Sequence, residues 1–172
     1  MKYGIISDTH ITSNTKKDQT FLLIDQLNGI FKDVDEIIHA GDVCELFFLD
    51  ELKNIAPITC VRGDIDKIES LEHFVKFSDS QYNIGVIHIL PENLEEFMKK
   101  YELHIIIFGH THIPLIKGTK LNTLLVNPGS PTVPKSPPQK PGFLTPVARS
   151  SVITLKIDEN DVISTFIITL KI

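Results

Sequence analysis

Residues 3–10 read Tyr3-Gly4-Ile5-Ile6-Ser7-Asp8-Thr9-His10, and this segment decides the fold class. Its apolar half predicts a buried strand over 3–7, because short apolar runs bounded by polar residues are typical of strands covered on both faces. A carboxylate and an imidazole follow at once, at Asp8 and His10. Open α/β sheets bind ligands at the carboxyl ends of their strands, so the segment predicts an α/β fold with its chemistry at that edge.

Four later apolar runs end in the same way, each in an aspartate or a histidine. They are Glu36–Ala40 before Gly41-Asp42, Ile58–Val61 before Arg62-Gly63-Asp64, Ile84–Ile87 before His88, and His104–Phe108 before Gly109-His110-Thr111-His112. A glycine just before the ligand, as in three of these segments, lets the backbone turn sharply and approach a site closely. We therefore expect the five strand ends to converge on one edge of the fold.

The strand ends supply a set of nitrogen and oxygen ligands that is too large for one ordinary metal ion. The candidate ligands are Asp8, His10, Asp42, Asp64, His88, His110 and His112. Such a set suits two divalent ions with a shared carboxylate, and imidazole with carboxylate favours Mn, Fe, Co, Ni or Zn over Ca or Mg. Within Asp8-Thr9-His10 and His110-Thr111-His112, alternate residues are expected to point the same way, as in an extended segment.

Each fragment alone has an ordinary structural interpretation. A lone Gly-Asp is usually a turn, and a lone histidine after a strand is usually a hydrogen-bonded core residue. The ordered set of five strand ends indicates a metal site.

His39 has two interpretations, either as a partner that orients a ligand or as a buried structural histidine, and Asn127 has the same two. His73 and His104 are interpreted as structural or surface residues.

The rest of the chain predicts one domain over 1–172. Apolar residues at helical spacing predict helices over about 18–32 and 45–54 and around Leu94–Tyr101, so strands and helices alternate and parallel pairing is expected.

A loop is predicted over about 128–146, which holds seven of the ten prolines, since proline resists both helix and central strand. It is interpreted as a lid or interface arm, or else as a mobile surface excursion. Val152–Ile157 and Val162–Leu170 predict a terminal β-hairpin.

The composition limits the partners. The formal net charge is −5, with 17 basic and 22 acidic residues, so no general electrostatic attraction to nucleic acid or to an anionic membrane is expected. A small phosphorylated substrate would have to be attracted locally, as by a metal cluster. No signal-peptide pattern and no membrane-length apolar run is found, so a cytoplasmic location is the expectation. A homo-oligomer is left open.

The order Asp8-x-His10, Gly41-Asp42, Gly63-Asp64, His88 and Gly109-His110-Thr111-His112 resembles the calcineurin-like metallophosphoesterases. The short chain and the segment 127–130 (Asn-Pro-Gly-Ser) resemble their small prokaryotic phosphodiesterase branch, the YfcE-like proteins. The resemblance implies a four-layer α/β sandwich, with two mixed sheets packed face to face and helices outside, and two divalent ions, Mn²⁺ first among them. It also implies the ligand roles: Asp8, His10 and His112 on one ion, Asp64, His88 and His110 on the other, and Asp42 as the bridge.

Two positions depart from the family pattern. Relatives usually carry Gly-Asn followed by His or Cys, where this chain has Gly63-Asp64-Ile65. Relatives in this branch commonly carry His-Gly-His, where this chain has His88-Ile89-Leu90. The predicted metal cage is therefore complete, while the polar groups that would handle phosphate around it are fewer.

The resemblance and the ligand set together predict a phosphoesterase, most of all a phosphodiesterase, that uses a water or hydroxide between two ions. Asp42, Asp64 and His39 are the candidate catalytic residues, and no covalent nucleophile is evident. Two alternatives stay open. One is a weakly active or inactive interaction scaffold, like the retromer subunit of the superfamily, and the other is a nucleotide-specific hydrolase.

Overall fold

The computed structural model describes residues 1–172, which form ten strands and three helices. The strands are β1 (Lys2–Ile6), β2 (Glu36–His39), β3 (Ile58–Cys60), β4 (Phe74–Asp79), β5 (Tyr82–Ile87), β6 (Ile105–Ile107), β7 (Leu115–Gly118), β8 (Leu124–Asn127), β9 (Ser151–Ile157) and β10 (Ile163–Thr169). The helices are α1 (Lys17–Ile30), α2 (Leu46–Lys53) and α3 (Leu94–Tyr101). No helix combines the length and the apolar character that a membrane crossing requires.

The strands form two five-stranded sheets. One has the order β10-β9-β1-β2-β3 and the other β4-β5-β6-β8-β7. The predicted parallel pairing is confirmed for three adjacent strands in each sheet, β1-β2-β3 and β5-β6-β8. Antiparallel pairs complete both sheets, including the predicted hairpin β9-β10. Both sheets are therefore mixed, as the family resemblance implied.

The central strands are apolar on both faces, which produces four layers. Ile5 packs in the cluster between the sheets, whereas Ile6 packs under α1 and α2. Ile105 and Ile107 likewise face the other sheet, whereas Ile106 packs under α3. Successive strand side chains point to opposite faces, so each sheet buries one face against the other sheet and the other face against helices. The predicted fold class is confirmed.

Helix α3 shows how the sequence sets an outer layer. Asn93 caps its start and accepts a hydrogen bond from the Glu96 amide at 3.3 Å, which is the usual role of an N-terminal cap. The helix stops where Glu102 adopts a left-handed backbone with φ 52°. Between these ends, Leu94, Phe97 and Tyr101 accompany the buried Met98 on one apolar face. The predicted spacing therefore matches the buried face.

The prediction omitted β4 and β7. Both lie at the edges of the second sheet, where a strand has one neighbour only. Side chains in β4 and β7 are half-buried or exposed, so neither segment carries the continuous apolar run that marks the central strands. The predicted loop is confirmed, because residues 128–150 contain no helix or strand.

Candidate metal centre

The seven predicted ligands lie together where strands of both sheets end. Three follow β1 and β2, one follows β3, one follows β5, and two follow β6. Their ligand atoms fall into three groups, each within 4.8 Å: Asp8, His10 and His112; Asp64, His88 and His110; and Asp8, Asp42 and His88. The first two are the triplets that the resemblance implied.

Asp42 lies between the two triplets. Its Oδ2 is 3.4 Å from His88 Nε2 and 4.0 Å from His10 Nε2, while its Oδ1 accepts a hydrogen bond from the Ile65 amide at 3.1 Å. Burial raises the pKa of Asp42, but the contacts with His88 and the Ile65 amide outweigh burial and lower that pKa to about 2. The carboxylate is therefore anionic and faces one imidazole from each triplet.

The ligand residues do not lie in extended backbone, and that part of the prediction was wrong. Asp8, His10, His110 and His112 have φ values of 52°, 49°, 66° and 59°. Non-glycine residues rarely adopt this left-handed conformation, and clusters of it are typical of functional sites that the surrounding fold holds in place. The two ligands of each D-x-H or H-x-H pair are therefore aimed by turns of the chain.

Two of the glycines are required by close approach. A Cβ on Gly63 would lie 2.2 Å from the Asp42 amide and from its Oδ1. A Cβ on Gly109 would lie 2.8 Å from Asp8 Oδ2. These distances are far below any van der Waals contact, so a larger residue at either position would displace a carboxylate of the site. The expectation that glycine permits close packing here is confirmed.

Backbone carbonyls orient two of the imidazoles. His88 Nδ1 contacts the Ala40 carbonyl at 2.7 Å, and His112 Nδ1 contacts the Val133 carbonyl at 2.7 Å. A carbonyl only accepts, so both rings carry hydrogen on Nδ1 and present Nε2 to the site. Histidine ligands of metals are held in this way.

The donor set fits divalent cations. His88 Nε2 is buried and has no hydrogen-bond partner, although Asp8, Asp42 and Asp64 oxygens lie at 3.4–3.9 Å from it. His10 Nε2 and His112 Nε2 face each other at 3.2 Å. Burial raises the pKa of Asp8, which is fully buried, and thus penalises its charged form. Cations would satisfy these nitrogens and offset the buried negative charge.

His39 lies behind the site rather than in it. The ring is fully buried, and its Nε2 lies 3.0 Å from the Thr9 hydroxyl. Burial lowers the pKa of His39 to about 3, so the ring is neutral at ordinary pH. Its hydrogen bond reaches Thr9 and none of the seven candidate ligands. The geometry therefore favours the structural interpretation of His39.

The segment from Asn127 to Thr132 makes hydrogen bonds to the loops that carry Asp8 and His110. The Asn127 amide donates to the Gly109 carbonyl at 2.8 Å and accepts from the Gly129 amide at 2.8 Å. The Ser130 hydroxyl donates to the Asp8 carbonyl at 2.7 Å, and Thr132 donates to Thr9 at 2.8 Å. The first residues of this loop are thus part of the site's support and not a free surface excursion.

Asp66 is a supporting residue that the sequence prediction missed. Its buried carboxylate accepts hydrogen bonds from the amides of Asp42, Cys44 and Gly63 at 3.0, 2.6 and 2.8 Å. It therefore ties the loop that carries Asp42 to the loop that carries Asp64. In the sequence, Asp66 precedes a lysine in a turn and is indistinguishable from a solvated acidic residue. The one available signal was its place two residues after a candidate ligand.

We expect Asp66→Asn to weaken metal binding and to lower the free energy of unfolding. Hydrogen bonds to a charged group contribute about 1.5–3 kcal/mol each, and asparagine would turn a donor toward amides that need an acceptor. Metal titration and urea denaturation measure the two effects. Asp158→Asn is the matched control, because Asp158 accepts from two amides at 2.9 Å in the exposed hairpin turn. Wild-type metal affinity in Asp66→Asn would contradict the assignment.

Residues 1–149 match the family model of the calcineurin-like phosphoesterase superfamily domain. The chain belongs to the calcineurin-like phosphoesterase superfamily. A probable metallophosphoesterase of Methanocaldococcus jannaschii is 37% identical over 145 residues, which cover 80% of this chain and 71% of that protein. A phosphodiesterase of the same organism is 27% identical over 146 residues, which cover 75% of this chain and 83% of the relative.

A solved structure shows the same fold. Vps29 of Entamoeba histolytica, in complex with Zn²⁺, aligns with a TM-score of 0.71 over 98% of this chain and 99% of its own. The two sequences are 23% identical, so this similarity speaks for the fold alone. Membership of this superfamily of metallophosphoesterases implies divalent metal ions, and the chain has candidate ligand groups for them.

Proposed function

We propose that this protein is a two-metal phosphodiesterase. The observation that carries the proposal is the position of Asp42, whose Oδ2 faces His88 of one triplet and His10 of the other. In this proposal Asp8, His10 and His112 hold one divalent ion, Asp64, His88 and His110 hold the second, and Asp42 is shared. A shared carboxylate between two triplets is the arrangement that brings two ions within reach of one phosphate group.

Two divalent ions would supply a nucleophile from water at neutral pH and would bind phosphate oxygens. The chain's own residues hold the ligands in place. The Ala40 and Val133 carbonyls fix the rings of His88 and His112, the His110 amide donates to both Asp8 oxygens at 3.0 and 3.1 Å, and Asp66 joins two of the ligand loops. Ligands held in this way need little reorganisation when a substrate binds.

The choice of a diester substrate rests on a relative. The protein of Methanocaldococcus jannaschii named a phosphodiesterase is 27% identical to this chain. The proposed substrate is accordingly a small phosphodiester, with Mn²⁺ as the first metal to test. A nucleotide-specific hydrolase would be one case of this class.

Metal analysis combined with a diesterase assay tests the proposal. The purified protein is loaded with Mn²⁺, its metal content is measured by mass spectrometry, and the hydrolysis of bis-p-nitrophenyl phosphate is followed by absorbance. We expect two metals per chain and turnover that EDTA abolishes. Two bound metals without hydrolysis of any phosphoester would instead favour the interaction scaffold that the sequence analysis left open as an alternative.

Asp64 is the least expected member of the proposed ligand set. Its Oδ2 lies 2.9 Å from His110 Nδ1 and 3.8 Å from His88 Nε2, so the side chain faces the candidate centre, although it is about half exposed. An asparagine, which the family resemblance led us to expect here, would bind a cation through its oxygen and keep an NH₂ group for phosphate. An ionised aspartate has no donor and adds a negative charge beside an anionic substrate.

Asp64→Asn is therefore expected to weaken metal binding and to raise kcat/KM at saturating Mn²⁺. The carboxylate is the stronger ligand for a cation, while one hydrogen bond to a charged group changes the rate about ten- to a hundredfold. Metal titration and steady-state kinetics on this variant measure both effects. Unchanged values would remove Asp64 from the site, and a lower kcat/KM at saturating metal would reverse the role of its charge.

A further inference from the structure

A cavity of about 490 Å³ opens beside the candidate metal centre and is named here the His10 cavity. Gln19 and Leu22 line it from α1, and Thr132 and Val133 line it from the loop after β8. His10 also lines it, and this residue belongs to one of the two ligand triplets. The His10 cavity therefore reaches the candidate centre itself.

The walls of the His10 cavity are held in place by the fold. The two α1 residues are three positions apart, so their side chains share one face of the helix. In the loop, the Thr132 hydroxyl donates to the Thr9 carbonyl at 2.8 Å, and the Val133 carbonyl accepts from the His112 ring at 2.7 Å. The loop wall is thus tied to the segments that carry His10 and His112.

The lining of the His10 cavity is apolar with a few polar groups, and it includes no lysine, arginine, aspartate or glutamate. Leu22 and Val133 are 44% and 48% exposed, so apolar surface there is in water and a ligand would bury it. Thr15, Gln19 and Ser150 add polar groups, and the Gln19 amide offers both a donor and an acceptor. Such a lining is typical of sites for small organic groups.

The lack of a lysine or arginine in this lining selects among organic groups. In the proposed function, the phosphate that reacts lies at the metal centre. A second anionic group in the His10 cavity would lose water without gaining a positive partner, which is unfavourable. An uncharged ring or aliphatic group would instead cover the apolar walls. The lining therefore favours a neutral organic group over a second phosphate.

We propose that the His10 cavity binds an uncharged, partly apolar organic substituent of the phosphodiester substrate. The proposal rests on the proposed two-metal phosphodiesterase function and narrows its substrate class. An aromatic or heteroaromatic ring with a hydrogen-bonding edge fits the lining, with the Gln19 amide as its polar partner. A substrate whose substituent is a further phosphate does not fit it.

The test compares two phosphonates that differ only in their substituent. Phenylphosphonate and methylphosphonate present the same phosphorus group to the Mn²⁺-loaded protein, and neither loses its substituent, because a phosphorus–carbon bond is not a phosphoester. Their Kd values are measured by calorimetry, without turnover. We expect phenylphosphonate to bind about tenfold more tightly, because its ring buries apolar surface of the cavity that a methyl group does not reach.

Leu22→Asp is expected to reduce this preference to about twofold or less, since a carboxylate then replaces an apolar wall. Leu22 is exposed on α1, so the metal content and the melting temperature of the variant should match those of the wild type. Phe21→Asp is the matched control, because it places the same charge one position away on the same helix while Phe21 lines a different cavity. That control should keep the tenfold preference. Comparing the ratio of the two Kd values between proteins cancels the difference in acidity between the phosphonates.

Gln19→Lys tests the same assignment in the opposite direction. The wild type is expected to bind 4-carboxyphenylphosphonate less tightly than phenylphosphonate, and the added lysine should remove or reverse that difference. No preference for phenyl over methyl in the wild type, or an equal loss of preference in Leu22→Asp and Phe21→Asp, would overturn the proposal. Failure of the proposed function is distinguishable: a phenyl preference without hydrolysis of any phosphoester keeps the cavity as a ligand site without the enzyme, whereas hydrolysis without a phenyl preference removes the cavity assignment alone.

Discussion

Replacing Asp42 by alanine is expected to abolish phosphodiester hydrolysis and to remove most of the bound metal. Asp42 Oδ2 faces His88 at 3.4 Å and His10 at 4.0 Å, and these histidines belong to different triplets. One truncation therefore removes a ligand from both proposed ions at once. Metal ions contribute several kcal/mol to the stabilisation of charge in a phosphoryl transition state, so we expect kcat/KM to fall at least about a thousandfold.

Asp35→Ala is the matched control for this change. Asp35 directly precedes β2 and Asp42 follows the same strand a few residues on, so the two carboxylates lie at opposite ends of one element. Asp35 accepts a hydrogen bond from the Lys2 amide at 2.7 Å, far from the candidate centre. The control should keep its metals and its turnover. Two metals per chain with normal turnover in Asp42→Ala would refute the assignment of the bridge.

The sequence predicted the central strands well because these strands are buried on both faces. The runs that end at Asp8, Asp42, Asp64, His88 and His110 are short and apolar, and each one proved to be a strand. Four of them, β1, β2, β5 and β6, have a neighbour on both sides, whereas β3 is a partly buried edge strand that its apolar run still marked. The two missed strands are edge strands, whose half-exposed residues carry no such pattern. The pairing of β1 with β9 joins residues about 150 positions apart, and local patterns contain no information about such pairs. The family resemblance implied two mixed sheets, but it did not say which strands pair.

The candidate site was predictable where ligand type and position along the chain were enough. It was not predictable where backbone conformation decides the geometry. The ligands of the Asp8-x-His10 and His110-x-His112 pairs have a left-handed backbone, which sets the direction of their side chains. The sequence alone predicted extended backbone there. Asp66 acts by accepting amides from two separate loops, and such a role appears only when the loops are brought together.

The rate of hydrolysis is expected to depend steeply on the pKa of the leaving group, with p-nitrophenyl esters far ahead of alkyl esters. A general acid typically contributes about 10²–10⁴-fold to such a reaction, and poor leaving groups suffer most when it is missing. Ile65 follows Asp64 directly, and Ile89 and Leu90 follow His88. None of these three side chains carries a proton to donate. A series of aryl and alkyl diesters, with Mn²⁺ saturating, would give the slope of log kcat/KM against leaving-group pKa.

Two histidines decide how this slope is interpreted. His39 is not expected to protonate the leaving group, because it is fully buried and its Nε2 lies 3.0 Å from the Thr9 hydroxyl. His73 lines a cavity of about 430 Å³ together with Asp64 and His88, and it does not belong to the proposed ligand set. We expect the steep slope to persist in His73→Ala, because alkyl esters are slow already in the wild type. A flat slope in the wild type, with chemistry shown to be rate-limiting, would contradict the prediction. If that flat slope became steep in His73→Ala, His73 would be the acid, and the cavity beside Asp64 would hold the departing oxygen.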